Sequence, residues 1–269
     1  MKRFTPYIIL CLFLAGFAFS LFSCDSEEEK HRLSRAEKER LHKEDSLALK
    51  IGILPTADCD FLRLADTLHI FDTLGVDVHF RYYKSLSESR YALKHSMVEG
   101  ALVDSVLAAE IEKTDEVSLT LGPSTALNWK FLTAKKSRIS RHDQLVDKVV
   151  ATDSHGASRM LAKNAVDSIL KKKKPIYFIQ CEDVIVRCNM LTTGNVDAAM
   201  LPEPYASDAI KKGSRELALG NEKTYGVIAF RSKVLADKRI KEQYDLFVKG
   251  CQMAKDSLAK RRRQPVNRK

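Results

Sequence analysis

The sequence lacks the short motifs that build most familiar catalytic centres. It contains no GxSxG, HExxH, Walker A or GxGxxG run. That removes the nucleophile elbow, the helical zinc site, the phosphate-cradling loop and the dinucleotide fingerprint. His69, His79, His95, His142 and His155 are scattered, and His69 and His95 fall on helical patterns as surface or half-buried residues. Beyond Cys24, the cysteines are Cys59, Cys181, Cys188 and Cys251, and their spacings match no zinc site. No metal and no cofactor is expected. Cys181 and Cys188 are the nearest pair in sequence; unpaired core thiols are the favoured reading and a disulfide the alternative. There is one tryptophan, Trp129, which is read either as a core residue or as a platform stacking on a ligand. After the first 22 residues no apolar run is long enough to span a bilayer, so the body is expected to be soluble.

What is present begins with an export signal. Lys2 and Arg3 precede an almost wholly apolar run from Tyr7 to Phe22, shorter than a spanning helix. Leu21-Phe22-Ser23-Cys24 looks like a lipobox, although Phe22 departs from the small residue usual at its position. It implies a lipoprotein signal peptide over 1–23, cleavage before Cys24, and lipidation of Cys24, palmitate included. An uncleaved anchor is the alternative. Lipidation would place the chain in the cell envelope, held to a membrane on its extracytoplasmic side (periplasmic or surface). Residues 24–48 are dominated by charge, with too few large apolar side chains to build a core. They read as a tether, transiently helical through opposite-charge pairs.

The chain has 45 Lys and Arg against 35 Asp and Glu, a net charge of +10. The excess collects in Lys171 to Lys174 and in the tail from Lys260. Export argues against a nucleic-acid partner, and solvated faces or attraction to an anionic membrane surface suffice.

From Leu49 the pattern alternates strand and helix, which specifies an α/β fold with mostly parallel sheets flanked by helices. Lys50 to Leu54 reads as a buried strand, and Phe61 to Phe71 as one helix stopped by Gly75. Val76 to Tyr83 alternates as a half-exposed strand. A helix to about Val98, a strand at Ala101 to Val103 and a helix at Val106 to Ile111 follow. Strands at Val117 to Leu121 and Lys130 to Thr133 flank a Gly122-Pro123-Ser124-Thr125 turn. The alternation then repeats: strand 148–152, a helix reaching Leu170, strand 175–180, helix 183–192. The runs Glu99-Gly100-Ala101-Leu102-Val103-Asp104 and Gly194-Asn195-Val196-Asp197-Ala198-Ala199-Met200 both read as helix end, glycine, buried strand. Two similar lobes with a shared cleft follow. The remainder is a short strand at 216–219, a strand at 225–230 and a long helix from Val234.

The stretch from Gly194 to Gly213 is the most informative. Gly194 suits a helix C-terminal cap, and Val196 to Leu201 a strand buried on both faces. Pro202 and Pro204 end the strand, with Pro204 opening a helix capped by Glu203. The run Asp197-Ala198-Ala199-Met200 followed by Glu203-Pro204-Tyr205-Ala206 resembles the solute-binding proteins of bacterial ABC importers, in the group handling nitrate, sulfonates, taurine and thiamine precursors. The resemblance covers roughly Leu49 to Lys255. It implies a two-lobed type II periplasmic-binding-protein fold with a two-strand hinge. Lobe one would comprise 49–133 and 225–269, and lobe two 134–224, with crossings near 130–135 and 225–230.

In such a fold the loops after the sheet strands meet the ligand. That selects Thr56, Asp58 and Cys59; Asp104 and Ser105; Ser124 and Thr125; Ser154, His155, Gly156, Ala157 and Ser158; and Glu203 and Tyr205. Helix capping is the alternative reading for each. Ser154 to Ser158 reads as an anion cradle, opposed by Asp58, Asp104 and Glu203, which suits a zwitterion or a cationic heterocycle. The loop Thr56-Ala57-Asp58-Cys59-Asp60 departs from the glycine-rich loop of some members of the family. The resemblance implies a monomeric binding protein, not an enzyme, delivering a small polar organic solute to an ABC permease. An enzyme on the same scaffold, of lyase or thiamine-precursor-synthesis type, and an envelope interaction protein that has lost its solute are the alternatives.

Overall fold

A computed structural model of the chain describes residues 35–263. The signal segment, Cys24 and the start of the tether lie outside the described residues. The chain divides into two units, 1–47 and 48–269.

In the first unit the tether contains a helix, α1 (Arg35–Leu47). An Arg40–Glu44 pair one turn apart, 3.7 Å, supports it.

The second unit opens on β1 (Leu49–Ile53). A short 3-10 turn at Ala57–Cys59 leads into α2 (Asp60–Thr67) and α3 (Ile70–Thr73). The single helix expected from Phe61 to Phe71 is interrupted because His69 adopts φ 52°, a left-handed conformation that cannot continue a helix. Then come β2 (Val78–Tyr82), α4 (Leu86–Lys94), β3 (Gly100–Asp104) and α5 (Ser105–Thr114). β4 (Leu119–Thr125) continues through Gly122-Pro123-Ser124-Thr125, so the expected turn is strand, with a register shift against β10 between Leu121 and Ser124. It lies at an edge of its sheet, where Pro123 needs no ladder donor on one side. β5 (Trp129–Thr133), β6 (Val149–Thr152), α6 (Gly156–Ala165), α7 (Asp167–Leu170), β7 (Tyr177–Gln180) and α8 (Val184–Thr193) follow. Gly194 ends α8 at φ 78°, as its cap position requires. β8 (Ala198–Pro202), α9 (Tyr205–Lys211), β9 (Arg215–Leu217), β10 (Gly226–Arg231) and α10 (Lys238–Arg263) complete the chain. The Glu203–Pro204 peptide bond is cis.

The strands form two five-stranded sheets of matching design, ordered β2-β1-β3-β10-β4 and β7-β6-β8-β5-β9. In the first, β1 is parallel to β2 and β3, and β10 is antiparallel to β3 and β4. In the second, β6 is parallel to β7 and β8, and β5 is antiparallel to β8 and β9. Each sheet therefore has a parallel trio in which the middle strand is the first in sequence. The carboxyl ends of that trio sit where chain order reverses, which is where open α/β sheets offer a site. β5, expected in the first lobe, pairs wholly in the second sheet. The first crossing accordingly lies at 126–128, between β4 and β5, and the return at 218–225.

β1, β3, β8 and β10 are buried almost throughout, with Leu49, Ile51, Leu102, Met200 and Phe230 at 0% exposure. α10 packs its apolar face on the first sheet: Phe247 stacks on Phe71, ring centroids 5.4 Å apart, and meets Phe230 edge-on. Cys59, Cys181, Cys188 and Cys251 are free thiols. Among the described residues no helix is long and apolar enough to cross a membrane.

Candidate functional site between the lobes

The expected site residues fall into separate groups. The first group ties the lobes together. Asp104, fully buried at the end of β3, caps α5: its Oδ1 accepts from the backbone N–H groups of Val106 (3.0 Å) and Leu107 (2.7 Å). Its Oδ2 accepts from Ala157 N, 2.9 Å away at the start of α6 in the second lobe. One carboxylate thus sits at the positive ends of two helices. Glu110 on α5 accepts from Gly156 N at 3.3 Å and lies 3.2 Å from His155 Nδ1. The N–H groups of Ser154, Gly156 and Ala157 all point at carboxylates of the protein itself. Gly156 permits this approach, with φ +76° and a position at which a Cβ would lie 2.7 Å from Asp104 Oδ2. Ser154 N donates to Glu182 Oε1 (2.7 Å), and Glu182 also accepts from the Ser87 hydroxyl of the first lobe.

Burial pushes the Asp104 carboxyl up to about 6, with the nearby Asp153 charge adding to the rise and the three N–H donors opposing it. A carboxyl raised in the folded state holds its proton longer there than in the unfolded chain. Its contribution to stability therefore falls as pH rises from about 4 to about 6. Asp104→Asn is expected to remove that slope: the stability difference between wild type and variant, read by urea denaturation at several pH values, should change between pH 4 and 6 and stay level above 7.

A second group surrounds Glu203. Its backbone carbonyl accepts from Ala57 N in the first lobe (2.9 Å), and the Tyr205 hydroxyl donates to Pro55 O (3.1 Å). Glu203 Oε2 accepts from Ser207 N (3.0 Å), and Lys130 Nζ lies 3.5 Å from Oε1. Burial raises the Glu203 pKa, but the Ser207 N–H and Lys130 outweigh it and hold the group low. Glu203 is thus a cap of α9. Glu203→Gln is expected to lower stability by about 0.5–1 kcal/mol and to leave solute affinity unchanged, as checked by denaturation and calorimetry.

Asp58 and Glu203 share a shallow groove with Asn128. Asp58 is buried and accepts from the Thr125 hydroxyl at 2.6 Å. Burial raises its pKa, against that hydrogen bond. Cys59 is at 0% exposure with its thiol pushed up to about 12 by burial, so it is a core residue. Ser105 gives its N–H to Tyr225 O, and Ser124 is exposed, its carbonyl accepting from Lys255 Nζ. Neither faces the interlobe space described next.

That space is a chamber between the two parallel trios. The first lobe contributes Leu54 and Thr56 after β1, Lys84 to Leu86 before α4, and Leu102 of β3. The second contributes Trp129, Asp153, Glu182, Val184, Arg187 and Pro202, with Leu127 at the crossing. Of the expected contacts Thr56 lines it, together with Trp129, the residue read as core or as a stacking platform. The cavity enclosed by these side chains is about 10 Å³, room for about one water. At its polar end, Arg187 on α8 lies 2.8 Å from Asp153 Oδ1 and places its guanidinium carbon 5.5 Å from the centre of the Trp129 ring. Arg187 is 1% exposed. Burial pushes the Asp153 carboxyl up and the Arg187 charge pulls it down; burial dominates. Arg187, Asp153 and Glu182 were not among the expected contacts. The signal for Arg187 was its spacing: Val184, Arg187, Cys188 and Leu191 form the buried stripe of α8, so an arginine occupies a core position. Among the described residues no group of His, Cys, Asp or Glu could hold a metal ion.

The fold matches solved structures of ABC-importer binding proteins at low identity. An alkanesulfonate-binding protein from Xanthomonas axonopodis pv. citri, bound to MOPS, aligns with TM-score 0.64 and 14% identity over 80% of this chain and 75% of that one. A periplasmic nitrate-binding protein from Synechocystis aligns with TM-score 0.64 and 12% identity, covering 78% and 61%. The ligand-binding component of an ABC-type import system from Staphylococcus aureus, with zinc bound, aligns with TM-score 0.63 and 14% identity, covering 77% and 73%. No family model and no curated protein matches the sequence. The chain has the type II periplasmic-binding-protein fold.

Proposed function

We propose that the chain is an extracytoplasmic solute-binding protein, lipid-anchored through Cys24, that takes a small polar organic solute between its lobes and presents it to an ABC permease. The observation that carries this reading is Arg187: a guanidinium 1% exposed, at the interface of two lobes, with donors the protein does not use. A charge so placed is costly unless something completes it. The type II fold supplies the setting, since hinge closure around a ligand couples occupancy to a surface a permease can read. The likeness in fold to the ligand-binding component of an ABC-type import system supports the partner.

A second reading, an envelope interaction protein without a solute, is favoured by one observation. Asp104, Glu110 and Glu182 join the lobes directly, and the cradle is filled from within. A thermal-denaturation screen against small metabolites separates the two. Binding at 100 times Kd should add about 2.7 kcal/mol of stability, a rise of several degrees in a domain of this size. A midpoint unmoved by every compound would favour the second reading.

A further inference from the structure

The small cavity between the parallel trios has polar groups in its wall that do not satisfy one another. Thr56 Oγ1, Trp129 Nε1, Arg187 Nε and Asp153 Oδ2 belong to residues that border it, and none makes a hydrogen bond to a protein atom. Arg187 Nη1 pairs by charge with Asp153 Oδ1 at 2.8 Å, which engages neither Arg187 Nε nor Asp153 Oδ2. The Thr56 hydroxyl lies near Asp58, where it opposes the rise in pKa that burial causes. Thr56, Trp129, Asp153 and Arg187 are 1%, 4%, 3% and 1% exposed, so bulk solvent completes none of them. Buried polar groups are costly without a partner. The rest of the wall is hydrocarbon, from Leu54, Leu86, Leu102, Leu127 and Val184.

Two of the four groups are donors, the N–H groups of Arg187 and Trp129. Two can accept, Asp153 Oδ2 and Thr56 Oγ1. What joins them must accept twice and donate twice. A chloride accepts, but would set a second negative charge beside Asp153. A sodium or ammonium ion would face the Arg187 guanidinium. A water does both, and a cavity of about 10 Å³ holds about one. We propose that this cavity is a binding site for a single water that bolts the two lobes together. The water accepts from Arg187 Nε and Trp129 Nε1 and donates to Asp153 Oδ2, all in lobe two. Its second proton goes to Thr56 Oγ1 in lobe one, whose own proton turns to Asp58. Thr56 opens the turn after β1, so this hydrogen bond fastens the first sheet to the second. The closed form is completed without a solute. The inference goes beyond the solute-binding reading; on that reading, a ligand reaches Arg187 only after the lobes part and the water leaves.

The test is a crystal structure of the purified protein, at a resolution that shows waters, from crystals grown in sodium bromide. One isolated peak without anomalous signal should stand within hydrogen-bond distance of all four atoms. An anomalous peak overturns the water in favour of an anion, and no peak overturns it outright. The bridge between lobes is read separately through Trp129, the one tryptophan of the chain, whose indole N–H gives a single resonance. Thr56→Val keeps the shape and removes the acceptor. It should speed hydrogen exchange of that indole proton about fivefold, through freer opening of the lobes. Thr56→Ser, which restores the oxygen, should exchange as the wild type does. Equal rates in the valine and serine variants overturn the bolt even where the water is present. None of these outcomes depends on whether a solute is released on denaturation, so solute binding stands or falls by its own test.

Discussion

Replacing Gly156 by alanine should destabilise the protein by about 2–4 kcal/mol and separate the lobes. Two causes act together. At φ +76° an L-residue is strained, which costs about 1–2 kcal/mol. The new Cβ would also lie 2.7 Å from Asp104 Oδ2 and 3.3 Å from its Cγ. Asp104 cannot withdraw freely, since Val106 N and Leu107 N hold its other oxygen. The lobes must give instead, forfeiting the hydrogen bonds from Ala157 N and Gly156 N. Small-angle scattering should show a larger radius of gyration, and urea denaturation a lower midpoint. Adding Asp104→Ser should recover part of the loss, because the two sites share one contact. A Gly156→Ala protein with wild-type dimensions and stability would show that Asp104 does not brace the lobes.

Arg187→Met should cost about 3–5 kcal/mol, a large share of the 5–15 kcal/mol that holds a typical domain folded. The variant leaves Asp153 buried beside an apolar side chain, with no cation to offset its desolvation. Its pKa should rise further, so the defect should shrink as pH falls and the carboxyl protonates in place. The double variant Arg187→Met with Asp153→Leu removes the unpaired charge as well and should regain most of the stability. It should nevertheless bind no solute. Recovered folding without recovered binding would separate the pair's structural role from its role toward a ligand.

Much of the fold was readable from local rules. The strands at β1, β3 and β8 are short apolar runs bounded by Gly100, Gly194 and the prolines after Met200, and a strand buried on both faces leaves no other trace. The doubling of lobes followed from the repeated alternation. What was misplaced depends on long-range pairing. Gly122 to Thr125 has turn composition, yet β10 supplies a partner for it along a sheet edge. β5 looked like the hinge because it follows β4 closely, and only its pairing with β8 and β9 assigns it to the second sheet.

The site was legible in outline alone. Asp104, Gly156, Glu203 and Tyr205, selected because loops after strands meet ligands, make contacts across the lobes. That rule could not foresee that Asp104 would fill the cradle opposite, because side-chain partners across a cleft leave no mark in sequence. It also passed over Asp153, one residue after β6, in favour of the hydroxyl-rich run that follows. Arg187 lies on a helix rather than in a loop after a strand, and its core position on α8 is a periodicity signal.

The central claim is that the Arg187 chamber holds a solute. The most direct measurement is mass spectrometry of small molecules released on denaturing gently purified wild type and Arg187→Lys, which keeps the charge and loses the planar fork. A small polar molecule should be released from the wild type and be absent from the variant. The same complement from both proteins, or nothing from either, would contradict it.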